Sequence, residues 1–166
     1  MNSSKLEEKI LDLRPHYSDK YRAMIEAISN KGEKTGTGNI AQFGAFYQTF
    51  MYAYIIGLRL GKKTPLDCAD KTDFAPIGNW KPSPLRDFII VTLLNRSESF
   101  ENTEWTWIGL ENGSEEHIQV FVTMLIKELE SYANTGLIYL QDKWDNEKII
   151  FTSPFVFVAI LENLPI

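Results

Sequence analysis

Apolar positions along this chain recur mostly three and four residues apart, the period of a helix buried on one face. The clearest case follows Ser114. Glu115 and Glu116 come next, and then Ile118, Phe121, Val122, Leu125, Leu129 and Tyr132 form one continuous stripe. Serine is a good N-cap, and acidic residues in a first turn complement the helix dipole. Asn134 and Gly136 supply the expected exit from this helix.

Upstream, Ser3 or Ser4 is placed to cap a first helix through "KLEEKILDLR", which Pro15 ends. Ser18 or Asp19 caps a second, with Tyr21, Met24, Ile25 and Ile28 on one face. Between Lys34 and Arg59 no charged residue occurs. Phe43, Phe46, Phe50, Tyr54 and Leu58 recur there at helical spacing, with Tyr47, Met51 and Ile55 beside them. The stretch is long enough to invite a membrane reading. Gln42, Gln48, Thr49 and three tyrosines dilute it, so a central buried helix of a bundle is the expectation.

Gly61 then stands where a left-handed C-cap residue belongs. Arg59 and Lys62 flank it near the negative end of the dipole, and Pro65 prevents continuation. Capping accounts for Gly61 and Pro65 but does not require Lys62 and Lys63 together. A further helix is expected over "SPLRDFIIVTLLNRS", with Ser83 as N-cap, Pro84 in the first position, and Leu85, Phe88, Ile89, Thr92 and Leu93 inward. The proline-rich "DCADKTDFAPIGNWKPSP" reads as an irregular connection. "LIYLQDKWDNEKIIF" is compatible with a β-hairpin turning at Asp145-Asn146 or with a continued helix and loop. "TSPFVFVAILENL" carries a Ser-Pro helix-start signal with residues that also suit a strand. The fold expected is therefore mainly α: a single-domain helical bundle over residues 1–166 around a long aromatic-rich central helix, with room for a small C-terminal β-hairpin.

Composition adds two points. With 44% hydrophobic and 23% charged residues the chain is of ordinary globular type. Its net charge of −5 hides an asymmetry: residues 1–96 carry 14 basic against 10 acidic side chains, and residues 97–166 carry 3 against 12. Such polarity bears on partners and association, not on fold. The single cysteine, Cys68, excludes an intrachain disulfide and suits a reducing cytoplasm. Charges near the start, in "MNSSKLEEKILDLRP", fall where a secretion signal would be apolar, so a cytoplasmic location is expected.

Candidate chemistry is sparse. "NKGEKTGTGN" resembles a phosphate cradle only superficially, because the spacing of its glycines and Lys34 does not match a Walker loop. His16 and His117 lie far apart, and no ligand sits three or four residues from His117 on its helix. Cys68 would need a base from elsewhere in the fold to act as a nucleophile. Glu98, Glu101, Glu104 and Glu111 are plentiful carboxylates without a lysine beside a pair, and the combination of Asp67, Asp70 and Lys71 is a common one. No catalytic residue, cofactor or metal is expected.

Two segments carry a resemblance. "AFYQTFMYAYIIGLRLGKKTPL" resembles a phenylalanine-rich helix followed by Gly-x-x-x-Gly-Lys-Lys-x-Pro-Leu, and "ELESYANTGLIYL" resembles a Glu-x-Tyr-Ala-Asn-x-Gly-Leu helix ending. In that order they are similar to small proteins encoded with bacterial DNA phosphorothioation (Dnd) systems, the group called Dnd system-associated protein 4. The resemblance implies an accessory role in DNA modification or defence and points to no catalytic residue; the lack of a recognisable constellation of nucleophile, base and oxyanion donor makes a non-enzymatic role the expectation. DNA and proteins of the same system are then the expected partners, along with a second copy of the chain. The residues to contact phosphates are Arg59, Lys62 and Lys63, with Lys31 and Lys34 from the glycine loop. Trp105 and Trp107 are the candidate anchors for a protein partner. Two alternatives stand beside this. One is an assembly subunit unrelated to DNA that uses the basic N-terminal and acidic C-terminal halves. The other is an enzyme whose site has no recognisable motif.

Overall fold

The computed structural model describes residues 2–30, 40–96, 109–110 and 112–165, with side chains from residue 5 onward. Lys31, Lys34, Trp105, Trp107 and the glutamates at 98, 101, 104 and 111 lie outside the described residues. The fold is mainly α-helical with one two-stranded antiparallel sheet. The chain gathers into two compact units, each built from two stretches: Met1–Pro15 with Ala75–Leu129, and His16–Phe74 with Glu130–Ile166.

The first unit holds α1 (Asn2–Leu11) and α4 (Ser83–Arg96), together with the first half of α5 (Glu115–Asn146). Leu6 and Ile10 of α1 are buried, as are Ile118, Phe121, Val122, Leu125 and Leu129 of α5, so the predicted α5 stripe is the buried one. The Ser114 hydroxyl accepts the His117 amide at 3.2 Å, which is the expected cap. On α4, Ile89 and Leu93 are buried, but Phe88 is 51% exposed, contrary to the predicted inner face. Ile89 and Leu93 are four residues apart and suffice to seat the helix, and Phe88 falls one position off that line.

The second unit holds β1 (His16–Ser18), α2 (Arg22–Ala27), α3 (Phe46–Leu60), β2 (Lys71–Asp73), the second half of α5 and α6 (Val156–Glu162). In the sheet His16 faces Asp73, Tyr17 faces Thr72 and Ser18 faces Lys71. Tyr21, Met24, Ile25 and Ile28 are all buried, as the spacing predicts. So are Phe50, Met51 and Tyr54 of α3. Phe43 lies ahead of the helix and packs its ring 4.1 Å from that of Phe157.

The exit expected at Asn134 and Gly136 is not one: α5 continues to Asn146. Of the two readings of "LIYLQDKWDNEKIIF", the continued helix holds, followed by a 3₁₀ turn over Lys148–Thr152 in place of a hairpin. Both residues serve packing. A Cβ on Gly136 would stand 1.8 Å from the carbonyl oxygen of Ala53, and one on Gly57 would stand 1.9 Å from that of Tyr132. Since residues 53 to 57 meet residues 136 to 132, α3 and α5 cross antiparallel with backbones in direct contact. Only glycine allows that approach.

Tyr52, on α3, donates its hydroxyl proton to the Phe157 carbonyl. Burial pushes this phenol above its ordinary value of 10.0, with the neighbouring Tyr139 adding to the effect. A folded-state pKa above the unfolded one means stability that is complete below about pH 10 and is lost as pH climbs further. Tyr52→Phe is expected to cost about 1 kcal/mol at neutral pH, because the Phe157 carbonyl loses its donor. The variant should also begin alkaline unfolding at higher pH than the parent. Thermal melts followed by circular dichroism from pH 8 to 11 check both; equal alkaline midpoints would refute the assignment.

Candidate nucleic-acid interface at the end of α3

The carboxyl end of α3 is built as its sequence suggests. Gly61 adopts φ 62° and ψ 24°, the left-handed conformation. Its amide donates to the Leu58 carbonyl at 3.1 Å, and the Lys62 amide donates to the Gly57 carbonyl at 3.3 Å. These two bonds close a Schellman motif and satisfy carbonyls that the helix end would otherwise leave open. Arg59 stands in the last turn, where a cation is favoured by the dipole.

What the sequence does not announce is the second clamp on this loop. The Thr64 amide donates to the Ser131 carbonyl at 3.1 Å. The Asn134 side-chain amide donates to the carbonyls of Thr64 and Pro65, at 3.1 and 3.2 Å. The hydroxyls of Thr64 and Thr135 are 2.9 Å apart, and the latter also reaches the Ser131 carbonyl. The backbone from Gly57 to Pro65 is thus held at both ends, by its own helix cap and by one turn of α5. Arg59, Lys62 and Lys63 are exposed on it. Lys63 places its ammonium 6.0 Å from the centre of the Tyr132 ring, at the outer reach of a cation–π contact.

These two segments are therefore one structural feature. "GLRLGKKTPL" supplies Gly57 and the loop, and "ELESYANTGLIYL" supplies the carbonyl of Tyr132, the amide of Asn134 and the close approach at Gly136. The structure brings Arg59, Lys62 and Lys63 together on this clamp.

A second polar arrangement links residues with no local signal in sequence. Glu130 is 11% exposed at its side chain and accepts the His16 backbone N–H at 2.8 Å. His16 Nδ1 lies 3.0 Å from the same oxygen. A carboxylate has no proton to give, so in this bond Nδ1 is the donor. The pair ties β1 to α5. Among the described residues there is no group of three or more His, Cys, Asp or Glu side chains able to hold a metal. Cys68 is half-buried, its thiol donating to the Asp70 carbonyl at 3.4 Å. Among the described residues no helix is long and apolar enough to cross a membrane.

Compared with protein-family models, with curated proteins and with solved structures, the chain matches none.

Proposed function

We propose that this chain is a non-enzymatic accessory component of a bacterial DNA modification or defence system of the phosphorothioation type, acting in the cytoplasm by binding the DNA backbone or proteins of that system. The observation that carries the reading is the clamped basic loop. Three cations, Arg59, Lys62 and Lys63, are exposed on a loop whose backbone is already fixed by five hydrogen bonds to α3 and α5, with a sixth between the Thr64 and Thr135 hydroxyls. A fixed backbone has little conformational freedom left to lose on binding, so the contact costs less. Lysine and arginine at such a tip neutralise phosphates without reading bases. The chain's net charge of −5 opposes the approach of a duplex, so phosphate contact rests on these three cations.

The test is fluorescence anisotropy of labelled duplex, intact and nicked, titrated with protein at several salt concentrations. Binding that weakens with salt is expected. The Arg59→Ala/Lys62→Ala/Lys63→Ala variant should bind more weakly, and its slope of log affinity against log salt should be shallower by about 3, one counterion for each lost contact. No binding at low salt by folded protein would overturn the DNA arm and leave the loop as a cap that partners a protein.

A further inference from the structure

One uncharged side chain of the second unit is committed to the basic loop. Asn134 of α5 is buried, and its Nδ2 donates to the carbonyls of Thr64 and Pro65 at 3.1 and 3.2 Å. Only the amide nitrogen can face two carbonyl oxygens, so these partners fix which way the side chain points. Its own Oδ1 is buried and meets no hydrogen-bond partner among the described residues. A buried acceptor left open costs stability, and an apolar side chain of similar size would avoid that cost. What Asn134 contributes is therefore its two donors, and both go to the loop. Together with the Gly61 cap they bracket two residues. The cap ends at the Lys62 amide, and the hold on α5 begins at the Thr64 amide.

We infer that Asn134 is a positioning residue for the phosphate contact, setting the affinity of the loop by holding Lys62 and Lys63 in place before DNA arrives. The inference rests on the DNA reading given above. Asn134 itself offers no surface to a duplex, because it is buried. A cation on a loose backbone must be ordered when it meets a phosphate, and the entropy lost in ordering is subtracted from the affinity. Releasing Thr64 and Pro65 from α5 moves that cost from folding to binding. The number of phosphates neutralised stays the same, since Arg59, Lys62 and Lys63 are all still present. Salt therefore separates the two kinds of change. Removing a cation flattens the slope of log affinity against log salt, whereas removing the clamp lowers the whole line and leaves its slope alone. The Thr135 hydroxyl, 2.9 Å from that of Thr64, ties down a side chain and not the backbone, so its part is the smaller.

The full chain is titrated into labelled duplex at several salt concentrations, beside Asn134→Ala and Asn134→Leu. Leucine keeps the volume, removes both donors and also removes the open acceptor, so it gives a folded variant should alanine not. Both variants are expected to bind about tenfold more weakly, the order of ordering one or two residues, with the salt slope of the parent. Tyr52→Phe, which loses a hydrogen bond elsewhere in the same unit, should bind as the parent does. Without DNA, amide hydrogen exchange at Lys62, Lys63 and Thr64 should be faster in Asn134→Leu than in the parent. Unchanged exchange overturns the inference. A shallower salt slope in Asn134→Leu, or an equal loss in Tyr52→Phe, overturns it too. Binding that needs the three cations yet ignores Asn134 overturns this inference alone and leaves the DNA reading standing. A parent that does not bind duplex at low salt overturns the DNA reading and this inference with it.

Discussion

Gly136→Ala is expected to cost about 3 kcal/mol or more of folding stability, although alanine in place of a helix glycine ordinarily adds about 1 kcal/mol. The sign reverses because of what the new methyl group meets. It would lie 1.8 Å from the Ala53 carbonyl oxygen and 2.5 Å from the carbonyl carbon. Both atoms belong to helix backbone, so no rotamer change relieves the overlap. The helices must separate, and close-packed interiors transmit such a shift to every side chain along the crossing. Phe50 and Tyr54 on α3 and Leu137 and Leu140 on α5 are buried there and would lose dispersion contacts. Gly57→Ala, against the Tyr132 carbonyl, should cost a similar amount. Because both changes force the same two helices apart, the double variant should lose clearly less than the sum of the two. Gly61→Ala is the control. A Cβ there meets nothing within 4 Å, so only its left-handed backbone opposes the change, at about 1 kcal/mol. Urea unfolding midpoints of the four variants decide the matter. A Gly136→Ala protein within 1 kcal/mol of the parent would remove the close crossing from the account. The loop should feel the same change, since Asn134 and Thr135 hold Thr64 from the turn just before Gly136.

These glycines also show what was legible in one dimension. Periodicity found the buried faces of α2 and α5, because a stripe at three and four residues is written locally; on α3 it found Phe50, Met51 and Tyr54, while Phe46, Tyr47, Ile55 and Leu58 are only half-buried and Tyr52, Ala53 and Ile56 are buried outside the expected stripe. The Gly61 cap was equally readable, since a glycine followed by a proline at the end of an apolar run has a local cause. Asn134 and Gly136 are common helix terminators, and nothing near them in sequence says that their partners are Thr64, Pro65 and the carbonyl of Ala53. The same holds for the candidate site. Arg59, Lys62 and Lys63 could be picked out as a charge cluster, but the clamp that fixes their backbone comes from a distant helix. His16 and Glu130 lay beyond reach for the same reason, at 114 residues apart. Phe88 failed differently: α4 is apolar on more than one side, so spacing alone did not identify the buried side.

The proline-rich connection read as irregular is where the largest single side-chain effect is expected. Trp80→Ala should destabilise the protein by about 3 to 5 kcal/mol, the usual cost of emptying a large aromatic site. Trp80 is fully buried, and its indole N–H donates to the Ala75 carbonyl at 2.9 Å. The segment around it is tied down on both sides. The Ile77 amide donates to the Leu13 carbonyl at 2.9 Å, and Arg86 donates to the Gly78 carbonyl at 3.0 Å. Gly78 itself comes within reach of Leu11, where an added Cβ would stand 3.3 Å from both the side chain and the carbonyl oxygen. Anchored in this way, the segment has little freedom to collapse into the space the indole leaves, and a site that cannot collapse falls at the costly end of the range. Trp80→Phe separates the two contributions. It keeps most of the volume but strips the Ala75 carbonyl of its donor, which should cost about 1 to 2 kcal/mol plus whatever void remains. Equilibrium unfolding in urea monitored by circular dichroism gives both values. If Trp80→Ala lost no more than Trp80→Phe, the indole would be filling no essential volume, and the segment would after all be the plain connection its prolines suggest.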